Sequence, residues 1–122
     1  MQALFMVTFI IELIFGIGFI IAQSMLLGTF GVTLDAFGIS LARMFGSAVL
    51  ALATLAWYAR KSNNSDLSKA ALRSFFVYWL ASTIFQGYAQ LNGLMNTMGW
   101  STIIMHLGFL IWTGVYAFKK YI

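Results

Sequence analysis

The sequence predicts an all-α integral membrane protein, an antiparallel four-helix bundle whose N- and C-termini lie on the cytoplasmic side. Apolar residues make up 61% of its 122 residues, against about 45–50% in soluble domains. Only 8% are charged, and most of the charges fall in two clusters that leave long uncharged stretches. A helix needs about 20 apolar residues to cross a hydrocarbon core, and the chain has four stretches of that kind. This composition excludes an ordinary soluble globule.

The chain contains no proline and no cysteine. Without proline, the predicted helices lack the breaks found in many transporters, which favours a packed subunit over a transporter that changes shape. Without cysteine, a disulfide framework and a thiolate metal site are excluded.

The four predicted helices cover residues 3–27, 38–59, 70–91 and 99–118, and we expect residues 1–122 to form one transmembrane domain. The first helix is interrupted only by Glu12 and Gln23. It exceeds the ~7–15 apolar residues of a signal peptide and no basic residue precedes it, so we expect a retained helix. The second carries Arg43 near its start, and Ser65 or Asp66 is expected to cap the third. Short links make consecutive helices antiparallel.

Positively charged residues set the predicted orientation. They flank the link between the second and third helices and end the chain: Arg60, Lys61, Lys69, Arg73, Lys119 and Lys120. An even number of crossings separates the two groups, so both lie on one face, and short basic loops stay in the cytoplasm. This topology accounts for the basic clusters. We therefore expect the partners to be the lipid bilayer and other membrane chains, including copies of this one, and no nucleic acid.

Each predicted helix carries polar residues at the spacing of one helical face. These are Thr8, Glu12 and Gln23 in the first helix, Ser40, Arg43, Ser47 and Thr54 in the second, Ser82, Thr83, Gln86 and Gln90 in the third, and Thr102, His106 and Thr113 in the fourth. Lipid satisfies none of their hydrogen bonds, so we expect the four polar sides to face each other inside the bundle.

Glu12 is predicted near the middle of the bilayer, where an unpaired charge costs roughly 2.5–3.5 kcal/mol. It should therefore be neutral or have a partner. Arg43 is the first candidate, because a guanidinium binds a carboxylate bidentately. His106 is the second candidate, and a glutamine amide is the third.

Two interpretations of the cluster Glu12, Arg43, Gln86, Gln90 and His106 stay open. The first is a buried polar network that fixes helix register and holds the bundle together. The second is an outward-biased cavity for a proton, an ion or a small polar ligand. Catalysis is not expected, because the sequence offers no His/Asp/Glu metal set and no nucleophile with a base at helical spacing.

His106 raises a further possibility, since a lone membrane histidine can hold a haem or a chlorin magnesium axially. One histidine cannot supply both axial ligands of a bis-histidine haem within one chain. We therefore predict no cofactor and expect a hydrogen-bonded core histidine.

The second predicted helix carries packing signals. Ala42 with Gly46, and Ser47 with Ala51, form small-xxx-small patterns, which let helices approach closely. The segment LARMFGSAVLALATLAWYAR, residues 41–60, opens with Arg-x-x-Gly at Arg43 and Gly46. A glycine-bounded turn, residues 28–38, precedes it, and Gly99 opens the last helix beside a tryptophan.

In these features the chain resembles small four-helix bacterial inner-membrane proteins of the DoxX-like type. The resemblance implies a four-helix fold in the bacterial inner membrane and an accessory role, with Arg43 and Gly46 as the matching positions. The leading functional expectation is a small non-enzymatic accessory or structural subunit of a homo- or hetero-oligomeric membrane complex. The alternative is a small carrier or channel unit that uses Glu12, Arg43 and His106.

Overall fold

The computed structural model describes residues 1–119, and this part of the chain is all-α. Its helices are α1 (Gln2–Ile21), α2 (Gln23–Gly28), α3 (Ala36–Lys61), α4 (Ser65–Leu91) and α5 (Gly99–Ala117). Lys120, one of the basic residues on which the predicted orientation rests, lies outside the described residues. Three of these helices, α1, α3 and α5, are long and apolar enough to cross a membrane by length and composition.

The first predicted helix, residues 3–27, is two helices in the structure. Ala22 leaves the helical conformation, with φ −135° and ψ 32°, and separates α1 from the six-residue α2. The described chain therefore has five helices, where the sequence predicted four. Gly18 lies against the short helix, since a Cβ atom there would be at ordinary contact distance, 3.5 Å, from Leu26 Cδ2. Gln23 and Ser24 follow the break, but Gln23 also fits the polar face of one continuous helix, so the sequence does not predict the break.

Side-chain caps set the starts of the two longest helices. Asp35 Oδ1 accepts a hydrogen bond from a backbone N–H three residues on, at 2.7 Å, and α3 begins at the next residue. Asn64 Oδ1 accepts from the N–H groups of Asp66 and Leu67 at 2.8 and 3.2 Å. The expectation that Ser65 or Asp66 caps this helix is therefore wrong. Because the cap is Asn64, α4 begins at Ser65 rather than at residue 70.

α1 packs mainly against α3, and the two backbones touch through Gly16 and Gly46. A Cβ atom added to Gly46 would lie 2.8 Å from the Gly16 carbonyl oxygen and 2.9 Å from Phe19 Cβ. Both glycines are buried, and Ala42 is buried one turn before Gly46. Because neither glycine has a side chain, the two helices can approach this closely.

α4 packs mainly against α5, and here aromatic rings form the contact. Trp79 stacks on Phe109 with ring centroids 4.6 Å apart. The same indole meets the edge of the His106 ring at 5.1 Å. Trp79 is completely buried, so it anchors this second helix pair.

The two helix pairs meet along a seam filled by larger side chains. Phe5 of α1 meets Phe75 of α4 edge to face, with ring centroids 6.3 Å apart. We call the end of the molecule with the start of α1 and residues 60–69 the basic end, since Arg60, Lys61 and Lys69 lie there. The buried cluster that fills the seam and its flanks is Leu4, Phe5, Ala56, Ala59, Ala71, Leu72, Phe75, Trp79 and Phe109. Away from the basic end, this packing gives way to a cavity.

The contact between α1 and α3 predicts a specific sensitivity to side-chain size. Gly46→Ala is expected to destabilise the protein by about 1–3 kcal/mol, because the new methyl overlaps the Gly16 carbonyl. The measurement is the apparent Tm of the purified protein in mild detergent.

Gly87→Ala in α4 is the matched control, since no atom lies within 4 Å of a Cβ added there. It should leave the Tm unchanged or raise it, because alanine is favoured over glycine in a helix by roughly 0.5–1 kcal/mol. Equal effects of the two substitutions would contradict the close approach of α1 and α3.

Candidate functional site

A cavity of about 180 Å³ lies on the seam between the α1–α3 pair and the α4–α5 pair. Its wall is mostly apolar and aromatic, with contributions from Phe15, Phe19, Phe30, Phe45, Trp79 and Met105. The polar groups that line it are Glu12, Tyr78, Gln86, Thr102 and His106. An apolar wall with a few convergent polar groups is typical of sites that bind small molecules.

Glu12 supplies the acidic group of the cavity. It lies at the middle of α1 and is 2% exposed. Its side-chain hydrogen-bond partner is the Tyr78 hydroxyl of α4, which also interacts with the Ser82 hydroxyl one turn on. When Glu12 is ionised, the Tyr78 hydroxyl is the donor of this bond, because a carboxylate only accepts. This bond joins the two helix pairs across the seam.

His106 is held in one tautomer by two neighbours. Its Nδ1 lies 2.6 Å from the Thr102 carbonyl oxygen, and a carbonyl only accepts, so Nδ1 carries the proton and donates. Nε2 is then the acceptor, and it faces the Gln86 side-chain nitrogen at 3.4 Å. Both ring nitrogens are thereby occupied, so axial ligation of a haem or chlorin would require Gln86 or Thr102 to give up its bond.

Several buried polar atoms have no hydrogen-bond partner within residues 1–119. They are Thr8 Oγ1, Gln23 Oε1, Trp79 Nε1, Gln86 Oε1 and Gln90 Oε1. Two of these residues, Trp79 and Gln86, line the cavity. A buried polar group without a partner costs about 1–3 kcal/mol. Each of these two lining residues thus carries one buried polar atom without a partner among the described residues.

Asn96 joins the two loops at the end opposite the basic end. Its backbone N–H donates to the Phe30 carbonyl at 2.9 Å, and its side-chain amide donates to the Thr29 carbonyl at 3.0 Å. Gly31, with φ +76°, lies against it, and a Cβ there would be 3.3 Å from Asn96 Cβ. Phe30 and Met95 from these loops line the cavity, so the joined loops cover this end. Nothing in the sequence pairs Asn96 with residues that lie more than 60 positions earlier.

The structure brings together three of the five predicted site residues, Glu12, Gln86 and His106. Gln90 lies one turn beyond Gln86, where its side-chain amide donates to the Asn96 carbonyl at 3.1 Å. Arg43 is exposed and does not line the cavity. The expected pairing of Glu12 with Arg43 is therefore not formed, and Tyr78 takes that place.

The polar side of α3 faces outward. Ser40, Arg43, Ser47 and Thr54 are all exposed, which contradicts the expectation that the polar sides of all helices face each other. Ser47 and Thr54 satisfy their hydroxyls locally, by donating to carbonyls four residues back at 3.0 and 2.9 Å. Of the four predicted packing residues of this helix, Ala42 and Gly46 are buried towards α1, while Ser47 and Ala51 are exposed.

In residues 1–119 no group of three or more His, Cys, Asp or Glu residues is arranged to hold a metal ion. Comparisons with protein-family models, with curated proteins and with solved structures found no match. The resemblance to DoxX-like proteins therefore stays an expectation from residues 41–60.

The hydrogen bond between Tyr78 and Glu12 should be measurable as stability. Tyr78→Phe is expected to lower the free energy of unfolding by about 1–3 kcal/mol, because it leaves a buried carboxyl without its donor. In a Glu12→Leu background the same substitution should cost clearly less, since the acceptor is already gone.

Tyr88→Phe is the control, because Tyr88 is 65% exposed and surface changes usually stay within about 0.5 kcal/mol. Thermal unfolding of the four variants and the wild type in detergent gives the comparison. Identical costs of Tyr78→Phe in both backgrounds would show that the two side chains are not coupled.

The contact between the loops predicts a difference between two asparagines. Asn96→Ala removes a bond that crosses from one loop to the other and should destabilise the fold by about 1–3 kcal/mol. Asn92→Ala removes a bond to the Tyr88 carbonyl within its own turn and should cost less. Limited proteolysis of residues 29–35 should accelerate only for Asn96→Ala. Equal cleavage of both variants would contradict the role of Asn96.

Proposed function

We propose that this protein is a small non-enzymatic integral membrane protein that acts as a subunit of a homo- or hetero-oligomeric membrane complex, with α3 as its docking helix. In this arrangement α1, α3, α4 and α5 cross the bilayer as four antiparallel spans. The basic end lies in the cytoplasm, since short basic loops are retained there. A bacterial inner membrane is the location that the resemblance of residues 41–60 implies.

The exposed polar stripe of α3 carries this proposal. Arg43 is the eighth residue of a 26-residue helix, about 10 Å from its start at 1.5 Å per residue. With α3 spanning a ~30 Å hydrocarbon core, the Cα atom of Arg43 lies below the edge of that core. A charge facing lipid is costly, and polar residues in spans almost always face protein or water. A neighbouring chain on this face would remove that cost.

The same face is shaped for close helix contact. Ser47, Ala48 and Ala51 are small and exposed, and small residues at helix interfaces let backbones approach in a membrane. Gly46 and Ala42 serve the contact with α1 inside the molecule, so α3 has a second small-residue face that no helix within residues 1–119 covers. We propose that a helix of a second chain packs there.

The carrier or channel alternative rests on the cavity. It gains support from the convergence of Glu12, Gln86 and His106, but Arg43, which this alternative also requires, lies outside the cavity. The docking face and the cavity lie on different sides of α3. A chain docked on α3 would therefore leave the cavity open.

Photo-crosslinking from single positions tests the docking face. A diazirine amino acid replaces Ala51, and ultraviolet light is applied to membranes of the source cells. We expect a protein adduct, either at twice the chain mass of 13.6 kDa for a second copy or at another mass for a different subunit, identified by mass spectrometry.

The same amino acid at Ile104 of α5 is the matched control, because Ile104 is 68% exposed on another long apolar helix. It should give lipid adducts only. If position 51 also yields only lipid adducts, or if both positions capture the same proteins in equal amounts, the docking role of α3 is wrong.

A further inference from the structure

We propose that the cavity between the two helix pairs binds a small organic cation, an ammonium group carried on an aromatic or compact apolar body. This inference does not depend on the docking role of α3. It rests on the charge, the aromatic wall and the size of the cavity.

The cavity holds a carboxyl group without a cationic partner. Glu12 is almost completely buried, and among the described residues that line the cavity there is no lysine or arginine. His106 uses its protonated nitrogen for the Thr102 carbonyl, so it does not serve the carboxylate. The Tyr78 hydroxyl fills one acceptor position of a carboxylate that has about four. An ionised Glu12 therefore needs positive charge from outside the chain.

The wall of the cavity favours an organic cation over a metal ion. Phe15, Phe19, Phe45 and Trp79 contribute aromatic rings, and a ring face attracts an ammonium group within about 6 Å. A hard metal cation needs about six oxygen ligands, whereas this wall offers few. A carboxylate among aromatic rings is the combination that suits an ammonium group with an apolar substituent.

The size of the cavity limits the ligand to about one ring. A cavity of about 150 Å³ in another protein holds a benzene molecule, and this one measures about 180 Å³. A benzylammonium ion, which is one ring with a short cationic arm, is of that size.

Benzylammonium and benzyl alcohol form a matched pair of probes, because they share the ring and the arm and differ in the charge of the terminal group. The readout is the ¹H–¹⁵N signal of the Trp79 indole in purified, ¹⁵N-labelled full-length protein in mild detergent, assigned with Trp79→Phe. We expect a saturable shift with benzylammonium, at least about tenfold tighter than with benzyl alcohol, because charge-assisted bonds are the stronger ones.

Two substitutions then test separately whether binding depends on the charge of Glu12 and on the open space of the cavity. Glu12→Gln should weaken benzylammonium binding at least about tenfold and change benzyl alcohol binding little. Asp66→Asn, which neutralises an exposed carboxylate on α4, should change neither. Val49→Phe keeps the carboxyl but fills the cavity, which Val49 lines, and should abolish both.

Three results would overturn the proposal. The first is equal affinity of wild-type protein for the charged and the neutral probe. The second is unchanged benzylammonium binding in Glu12→Gln. The third is equal binding by wild type and Val49→Phe, which would place the probe in the detergent micelle. If Glu12→Gln does not fold, the comparison of the two probes on wild type and Val49→Phe still decides.

Discussion

The burial of one carboxyl group at the middle of an apolar helix is the constraint on which the rest of this structure depends. Glu12 lies among isoleucine, leucine and phenylalanine residues of α1, and these apolar neighbours offer its carboxyl no hydrogen bond. This face of α1 is turned towards α4, where the Tyr78 hydroxyl forms a hydrogen bond with the carboxyl group. The orientation of α1 is thereby fixed, and the face with Gly16 is placed against α3.

Two kinds of helix packing follow from that orientation. Between α1 and α3, glycines allow backbones to touch, and no space is left. Between the pairs, rings such as Phe5 and Phe75 hold the backbones farther apart. Rings fill this wider seam near the basic end, but around Glu12 the side chains leave a cavity. The cavity is thus a consequence of joining a glycine-packed pair to an aromatic-packed pair.

The sequence alone predicts much of the fold. Uncharged stretches of about 20 residues predict the long helices, since length and composition are all that this prediction requires. The end of the first helix is misplaced in the prediction, because Gln23, which follows the break at Ala22, also fits the polar face of one continuous helix. The start of α4 was misplaced because Asn64 lies in a polar link, where several residues could act as the cap.

The candidate site was predicted less completely, and α3 shows why. Helical spacing identifies Ser40, Ser47 and Thr54 as one face, but spacing does not say where that face points. Gly46 decides the direction, because only the glycine face of α3 can approach Gly16 so closely. The polar stripe must then turn outward and take Arg43 with it. Asn96, which is defined by contacts with a distant loop, left no local pattern to recognise.

Arg43 and Glu12 lie on different sides of α3, so their side chains do not pair. Had the two side chains paired, their charges would have neutralised each other. Neither the surface of α3 nor the cavity would then have held an unpaired charge from these two residues. Instead, the positive group is on the outer face of α3 and the negative group is in the seam. Phe45 lines the cavity and is 43% exposed, and helical spacing puts it on the side of α3 away from Arg43 and Ser47. A chain that packs on Arg43 and Ser47 and a ligand in the cavity would therefore contact different sides of one helix. Any effect of docking on ligand affinity would be matched by an equal effect of the ligand on docking, because binding free energies are coupled reciprocally.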